Sequence, residues 1–193
     1  MDPLEEFRAL FAQAEALDRA QLPEPTAMTL ATVGADGAPS ARVVLLKALD
    51  DRGFVFYTNF GSRKGRELAA NPRAALLFHW QQLVWQVRVE GVVERVDDEA
   101  ADAYFASRAR ESQLGAWASE QSLPLERDDI LDVRVREAET RFAGRDVPRP
   151  PYWGGYRLVP SRIEFWHGRE HRLHERRVFS RDGAAWRMQR LFP

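Results

Sequence analysis

Four groups of residues in this chain of 193 residues have the types and spacing to hold anions. In Tyr57-Thr58-Asn59-Phe60-Gly61-Ser62-Arg63-Lys64-Gly65, Ser62 stands where a helix cap belongs and two cations follow at once. A helix N-terminus is already electropositive, so Arg63 and Lys64 oppose the dipole unless a phosphate occupies the free backbone N–H groups. The plainer alternative is a solvated helix start. Arg42-Val43-Val44-Leu45-Leu46-Lys47 places two cations around four apolar residues. Strict alternation puts them on opposite strand faces, serving two ligands, unless a bulge brings them together; a core strand with charged ends is the alternative.

Tyr104, Arg108 and Ser112 recur at helical spacing and share one face if a single helix continues through them. A phenol, a guanidinium and a hydroxyl so aligned suit a phosphate or carboxylate, although a core aromatic beside a surface charge is the ordinary case. In Arg172-Leu173-His174-Glu175-Arg176, period-2 alternation puts Arg172, His174 and Arg176 on one strand face. Three such groups repel one another and fit a shared anionic or electron-rich ligand, or else an exposed charged face. Nearby Trp166 stacks on a planar ring or fills core.

The usual catalytic sets are missing. There is no cysteine. His79, His167, His171 and His174 show no HExxH spacing, a metal site lacks a convincing carboxylate partner, and no GxSxG, GxGxxG or Walker A sequence occurs. A chain rich in anion-holding groups and poor in acid–base apparatus leaves the difficult chemistry to a cofactor. Net charge is -1, with 45% hydrophobic and 30% charged residues, which fits a globular protein and not a nucleic-acid binder. The acidic, amphipathic start is not a signal peptide, and no run approaches the ~18 apolar residues of a membrane span. A cytoplasmic protein is expected.

The elements that must position these residues read as one domain over 1–193. Leu4, Phe7, Leu10, Phe11, Ala14 and Leu17 set a helix over about 3–19, before Pro23 and Pro25. Segments 28–33, 40–49 and 54–58 form a hairpin-linked meander; a short helix runs from Ser62 to Asn71; segments 73–80 and 83–96 return to strand. Asp97 caps a helix to about Ser107, another spans about 127–142, and the Pro-rich 147–155 is a rigid connection. Strands over about 157–193 complete the same domain. The expected fold is mainly β with α: an antiparallel, split or partly closed barrel decorated by helices.

The ordered blocks RVVLLK, GFVFYTN, SRKG, QVRVEG, YFASR, SQLGAWAS with QS, WGGYR, IEFW, RLHER and the closing RLFP span Pro25 to Pro193. Together they resemble the pyridoxine/pyridoxamine 5′-phosphate oxidases, flavoproteins of the FMN-binding split-barrel fold. The resemblance implies an FMN site formed by Arg42, Val43, Val44, Leu45, Leu46, Lys47, Tyr57, Thr58, Arg63, Lys64, Gln86, Gln121, Ser122, Trp166 and Arg176. It implies substrate contacts from Lys47, Tyr104, Arg108 and Ser112 to the phosphate, and from Arg172, Leu173 and His174 to the ring, with Arg172 and His174 as the catalytic pair. The flavin would lie between the subunits of a homodimer.

The implied reaction oxidises pyridoxamine or pyridoxine 5′-phosphate to pyridoxal 5′-phosphate. Dioxygen is reduced to hydrogen peroxide, and ammonia leaves from the amine. Two alternatives stay open: a split-barrel flavin oxidase with another substrate, of the phenazine-pathway type, and a non-catalytic carrier of FMN or pyridoxal phosphate. Against the family pattern, Trp85 stands for an Arg before Gln-Val-Arg, Ala109 for a Pro and Glu175 for an Asp. The Arg- and Tyr-containing leader of many members is expected to be absent.

Overall fold

The computed structural model describes residues 2–193. Helix α1 spans Pro3–Glu15, with the Asp2 carboxylate accepting the Leu4 N–H at 2.9 Å and Pro3 preset in the first turn. It ends before the expected residue 19 because Asp18 takes over the chain. The Asp18 carboxylate accepts the Ala20 N–H and its carbonyl accepts those of Gln21 and Leu22, forming a turn.

The strands are β1 (Ala27–Val33), β2 (Pro39–Leu45), β3 (Ala48–Leu49), β4 (Phe54–Asn59), β5 (Arg73–Trp80), β6 (Trp85–Arg95), β7 (Trp153–His167), β8 (Glu175–Asp182) and β9 (Ala185–Leu191). Helices α2 (Arg63–Ala70), α3 (Asp98–Ala106), α4 (Arg110–Ala118) and α5 (Ile130–Arg141) lie between them. All strand pairings are antiparallel, in the order β2-β1-β5-β6-β7-β4-β3, with β8 and β9 continuing from β7. This is the split, partly closed barrel expected from the hairpin spacing.

How it closes bears on the site. The expected strand over 40–49 is two strands that lie on opposite edges of the sheet: β2 pairs with β1, and β3 pairs with β4. Between them the Leu46 N–H donates to the Thr26 carbonyl at 2.9 Å and the Lys47 N–H to the Val55 carbonyl at 2.8 Å. The backbone thus changes partner within two residues and seals the barrel.

On the other side, β7 gives its first half to β4 and its second half to β8. A bulge opposite Glu90/Gly91 allows the change. A Cβ on Gly91 would sit 2.1 Å from the Val159 carbonyl oxygen, so the bulge needs glycine there.

Alternation sends Leu30, Phe54, Phe56, Leu76, Phe78, Val87, Val89, Leu158, Ile163 and Phe165 inward, and α1 stoppers the barrel with Leu4, Phe7 and Leu10. The Phe7 ring is fully buried, edge-on to Phe54 and Phe78 with centroids 4.8 Å away in each case. Phe7→Ala is expected to cost about 3–5 kcal/mol of unfolding free energy, read from a chemical denaturation curve. A smaller core of Phe105, Leu114, Ala138, Phe142, Val147 and Trp153 holds α3, α4 and α5 against the barrel. No helix among the described residues is long and apolar enough to cross a membrane.

Candidate functional site

Where the sheet seals, a cavity of about 550 Å³ opens between β2, β4 and the helical layer. That size suits a cofactor or a small substrate. From the seam come Arg42, Val43, Val44, Leu45 and Lys47, and from β4 Tyr57 and Thr58. Lys64, Tyr104, Arg108, Ser112 and Gln121 complete the wall, with Asn59, Ser119 and Trp153, which the sequence reading did not select. Arg42 and Lys47 therefore meet the same space. The interruption after Leu45, not a bulge, brings them there, while Leu46 turns into the core.

At one end stands the N-terminus of α2. Ser62 caps it, accepting the Gly65 N–H at 3.3 Å, as its position implied. The two cations behind it part company. Lys64 turns into the cavity, where Nζ donates to Gln121 Oε1 at 3.0 Å and Thr58 Oγ1 at 3.1 Å, both neutral. Burial lowers its ammonium from the ordinary value, and the charge of Arg42 lowers it further against the opposing pull of Glu67. Arg63 is largely exposed and instead donates to Glu67 Oε1 at 2.8 Å.

Glu67 had no signal in the sequence beyond its place four residues after Arg63, a spacing that reads as a surface pair. In the fold it is buried, 8% exposed. Its Oε2 accepts from Thr32 Oγ1 at 2.5 Å, Ser40 Oγ at 2.6 Å and Arg42 Nη2 at 3.1 Å. Burial pushes the carboxyl up, but hydrogen bonds from Ser40, Thr32 and Arg63 and the charge of Arg42 outweigh it and bring it down to about 2.

At the other end, α3 does not continue through Ser112 as the spacing suggested. Ser107 Oγ donates to the Tyr104 carbonyl at 2.8 Å, and Gln113 Nε2 to the Phe105 carbonyl at 3.0 Å and the Ala106 carbonyl at 3.2 Å. These side chains satisfy the last carbonyls of α3, so it stops, Ala109 goes extended (ψ 141°) and α4 begins. Tyr104, Arg108 and Ser112 still face one cavity, across a corner.

Tyr104 stacks on Tyr57 at 3.9 Å, and Tyr57 on Trp153 at 5.4 Å. The Arg108 guanidinium lies 4.7 Å above the Trp153 ring, with Nη1 buried and unpartnered. Burial lowers it from its ordinary value, with a smaller opposing pull from Tyr104. The two ends are built by different elements, α2 at one and the corner between α3 and α4 at the other. Among the described residues no carboxylate lies within ion-pair distance of Lys47, Lys64 or Arg108. A neighbouring cavity of about 560 Å³ shares Asn59, Ser119 and Gln121, but there Arg134 already meets Glu120 at 2.5 Å.

The remaining selected residues gather elsewhere, where β6, β7 and β8 meet. Gln86 pairs in register with Trp166, and Trp85 with His167, their rings stacked at 4.4 Å. Arg176 Nε donates at 2.7 Å to Glu164, a buried carboxylate that also takes Arg88 at 2.5 Å. The expected strand through Arg172 and His174 begins only at Glu175. Before it the chain makes a tight turn with His171 and Arg172 at φ 53° and 60°, so no common strand face exists there.

Such left-handed geometry costs about 1–3 kcal/mol per non-glycine residue. His174 packs on Trp166 at 4.5 Å and its Nδ1 accepts the Arg169 N–H at 3.2 Å; Leu173 is exposed. None of Gln86, Trp166, Arg172, Leu173, His174 and Arg176 lines the cavity of the same chain. Ser122, in a left-handed turn (φ 73°), follows Gln121 at its rim.

Residues 14–142 match the pyridoxamine 5′-phosphate oxidase family, and residues 153–193 match the region described as the pyridoxine 5′-phosphate oxidase C-terminal dimerisation region. A pyridoxine/pyridoxamine 5′-phosphate oxidase of Rubrobacter xylanophilus is 59% identical over 192 residues, covering 100% of this chain and 87% of the relative. One of Myxococcus xanthus is 60% identical, covering 100% and 92%. PhzG from Burkholderia lata, solved with tetrahydrophenazine-1-carboxylic acid, superposes with a TM-score of 0.92 at 34% identity over 100% of this chain and 93% of that one. The chain belongs to the pyridoxamine 5′-phosphate oxidase family and is an oxidoreductase with its split-barrel fold.

Proposed function

We propose that this protein is a homodimeric, FMN-dependent oxidase of pyridoxamine and pyridoxine 5′-phosphate that makes pyridoxal 5′-phosphate in the cytoplasm, with residues 1–193 acting as one domain. One observation carries the reading: a single cavity holds two cationic seats, and among the described residues no carboxylate lies within ion-pair distance of their Lys64, Lys47 or Arg108. One phosphate belongs to the cofactor and one to the substrate. The buried, unpartnered Nη1 of Arg108 and the neutral partners of Lys64 fit anionic oxygens.

Lys64 and Arg42 would hold the FMN phosphate, with Arg63 beside them, and Thr58, Gln121 and Ser122 would hold the neighbouring polar groups. Lys47, Tyr104, Arg108 and Ser112 would hold the substrate phosphate, the guanidinium preset by Trp153. The chemistry that bound FMN supplies is acceptance of hydride from the substrate C4′ carbon and return of the electrons to dioxygen as hydrogen peroxide. Arg172 and His174 would orient the pyridine ring and meet the charge that develops on it. The Arg169 N–H held at Nδ1 leaves Nε2 as the His174 nitrogen free to face the substrate. Binding energy at a remote phosphate fixes the ring for this step.

Gln86, Trp166, Arg172, His174 and Arg176 lie away from the cavity of their own chain, which supports a site completed by a second copy. Trp85, with His167 stacked on it, stands at that edge in place of the usual cation. The PhzG likeness favours one rival reading, oxidation of another reduced ring. The test is to purify the protein, record its flavin spectrum and follow pyridoxal 5′-phosphate and peroxide with pyridoxamine 5′-phosphate under air. A colourless protein that takes up no FMN sinks the reading, and a yellow one inert to this substrate supports the rival.

A further inference from the structure

We propose that Glu67 is the resident counter-ion of the seat at Lys64: a carboxylate that competes with an arriving phosphate for Arg42, stabilising the empty protein and holding ligand affinity below what the cations alone would give. The inference rests on the reading that the cofactor phosphate binds at this end.

Three cations meet around one helix start. The ion pairs of Arg42 and Arg63 both run to Glu67, through different oxygens. Lys64 is relieved of the Arg42 charge by Glu67 alone. Without that carboxylate, three like charges face one another in a partly buried space until an anion arrives.

Glu67 is not the sole hold on Arg42. The guanidinium also donates to the Leu30 carbonyl at 3.2 Å and to the hydroxyls of Thr32 and Ser40. A glutamine at 67 keeps an acceptor for those hydroxyls and removes the charge. Position and charge can therefore be separated by experiment.

Glu67→Gln and the wild type are compared without and with FMN, by thermal unfolding and by fluorescence titration of FMN. The empty variant is expected to melt several degrees lower and the FMN-loaded variant to approach the wild type. FMN should bind about three- to tenfold more tightly, the size of one charge interaction in a partly solvated site. Inorganic phosphate should raise the melting temperature of the empty variant more than that of the empty wild type.

Equal melting losses in both states, with unchanged affinity, would reduce Glu67 to a fold element and overturn the proposal. Weakened FMN binding overturns it too, since orientation would then outweigh charge. A variant that folds only with FMN supports it. Glu67→Asp, which keeps the charge, should not bind FMN more tightly than the wild type, and tightening there counts against the idea. If FMN leaves the wild type unaltered, the cofactor assignment itself fails.

Discussion

Arg172→Ala is expected to lower kcat by about 10²–10³-fold while the protein stays yellow, the usual cost of removing one preorganised charge-stabilising donor. The side chain sits on a turn whose backbone is left-handed at Arg172 itself, φ 60°, away from the cation seats of its own chain. Its loss leaves untouched the contacts proposed for the flavin phosphate at Lys64 and Arg42. His174→Ala should act in the same direction, since its ring is aimed by the Arg169 N–H and by packing on Trp166. Steady-state kinetics beside the flavin absorbance of the purified variants checks both. Loss of flavin, or full turnover, would show that this wall of the site has been assigned wrongly.

Lys64→Ala is expected to weaken FMN binding by about 10- to 150-fold, the loss of one charge-assisted contact to phosphate. Arg63→Ala should change it far less. Both cations follow the same cap in the sequence, but Lys64 donates only to neutral atoms inside the cavity, whereas Arg63 is exposed and neutralised by Glu67. Fluorescence titration of FMN into the two apoproteins separates them. Equal losses would mean that Arg63 leaves Glu67 when the ligand binds.

The barrel was legible because its strands are short, alternate in polarity and are joined by Gly- and Asp-containing turns, all local properties. The cation-rich groups stood out because clustered cations make poor folding elements, and the fold brings Arg42, Lys47, Lys64 and Arg108 to one cavity. Three things were not. The corner at Ala109 depends on Ser107 and Gln113 capping carbonyls, a contact that helical spacing does not encode. Glu67 looks like a surface glutamate until β1 and β2 bring Thr32, Ser40 and Arg42 to it. The turn at Arg172 defeats period-2 reading because two non-glycine residues adopt positive φ, which composition does not announce.

Arg42 ends up beside the carboxylate and Lys47 inside the same cavity because the chain between them crosses from one sheet edge to the other in two residues. That segment works as a ruler. Adding or deleting one residue between Leu45 and Ala48 would turn one flanking strand over, since side chains alternate with period two. Either Arg42 or Lys47 would then point away from the cavity, or the seam would not seal. Loop length elsewhere in the chain can drift at small cost, but here the spacing of Arg42 and Lys47 and the closure of the barrel are a single variable.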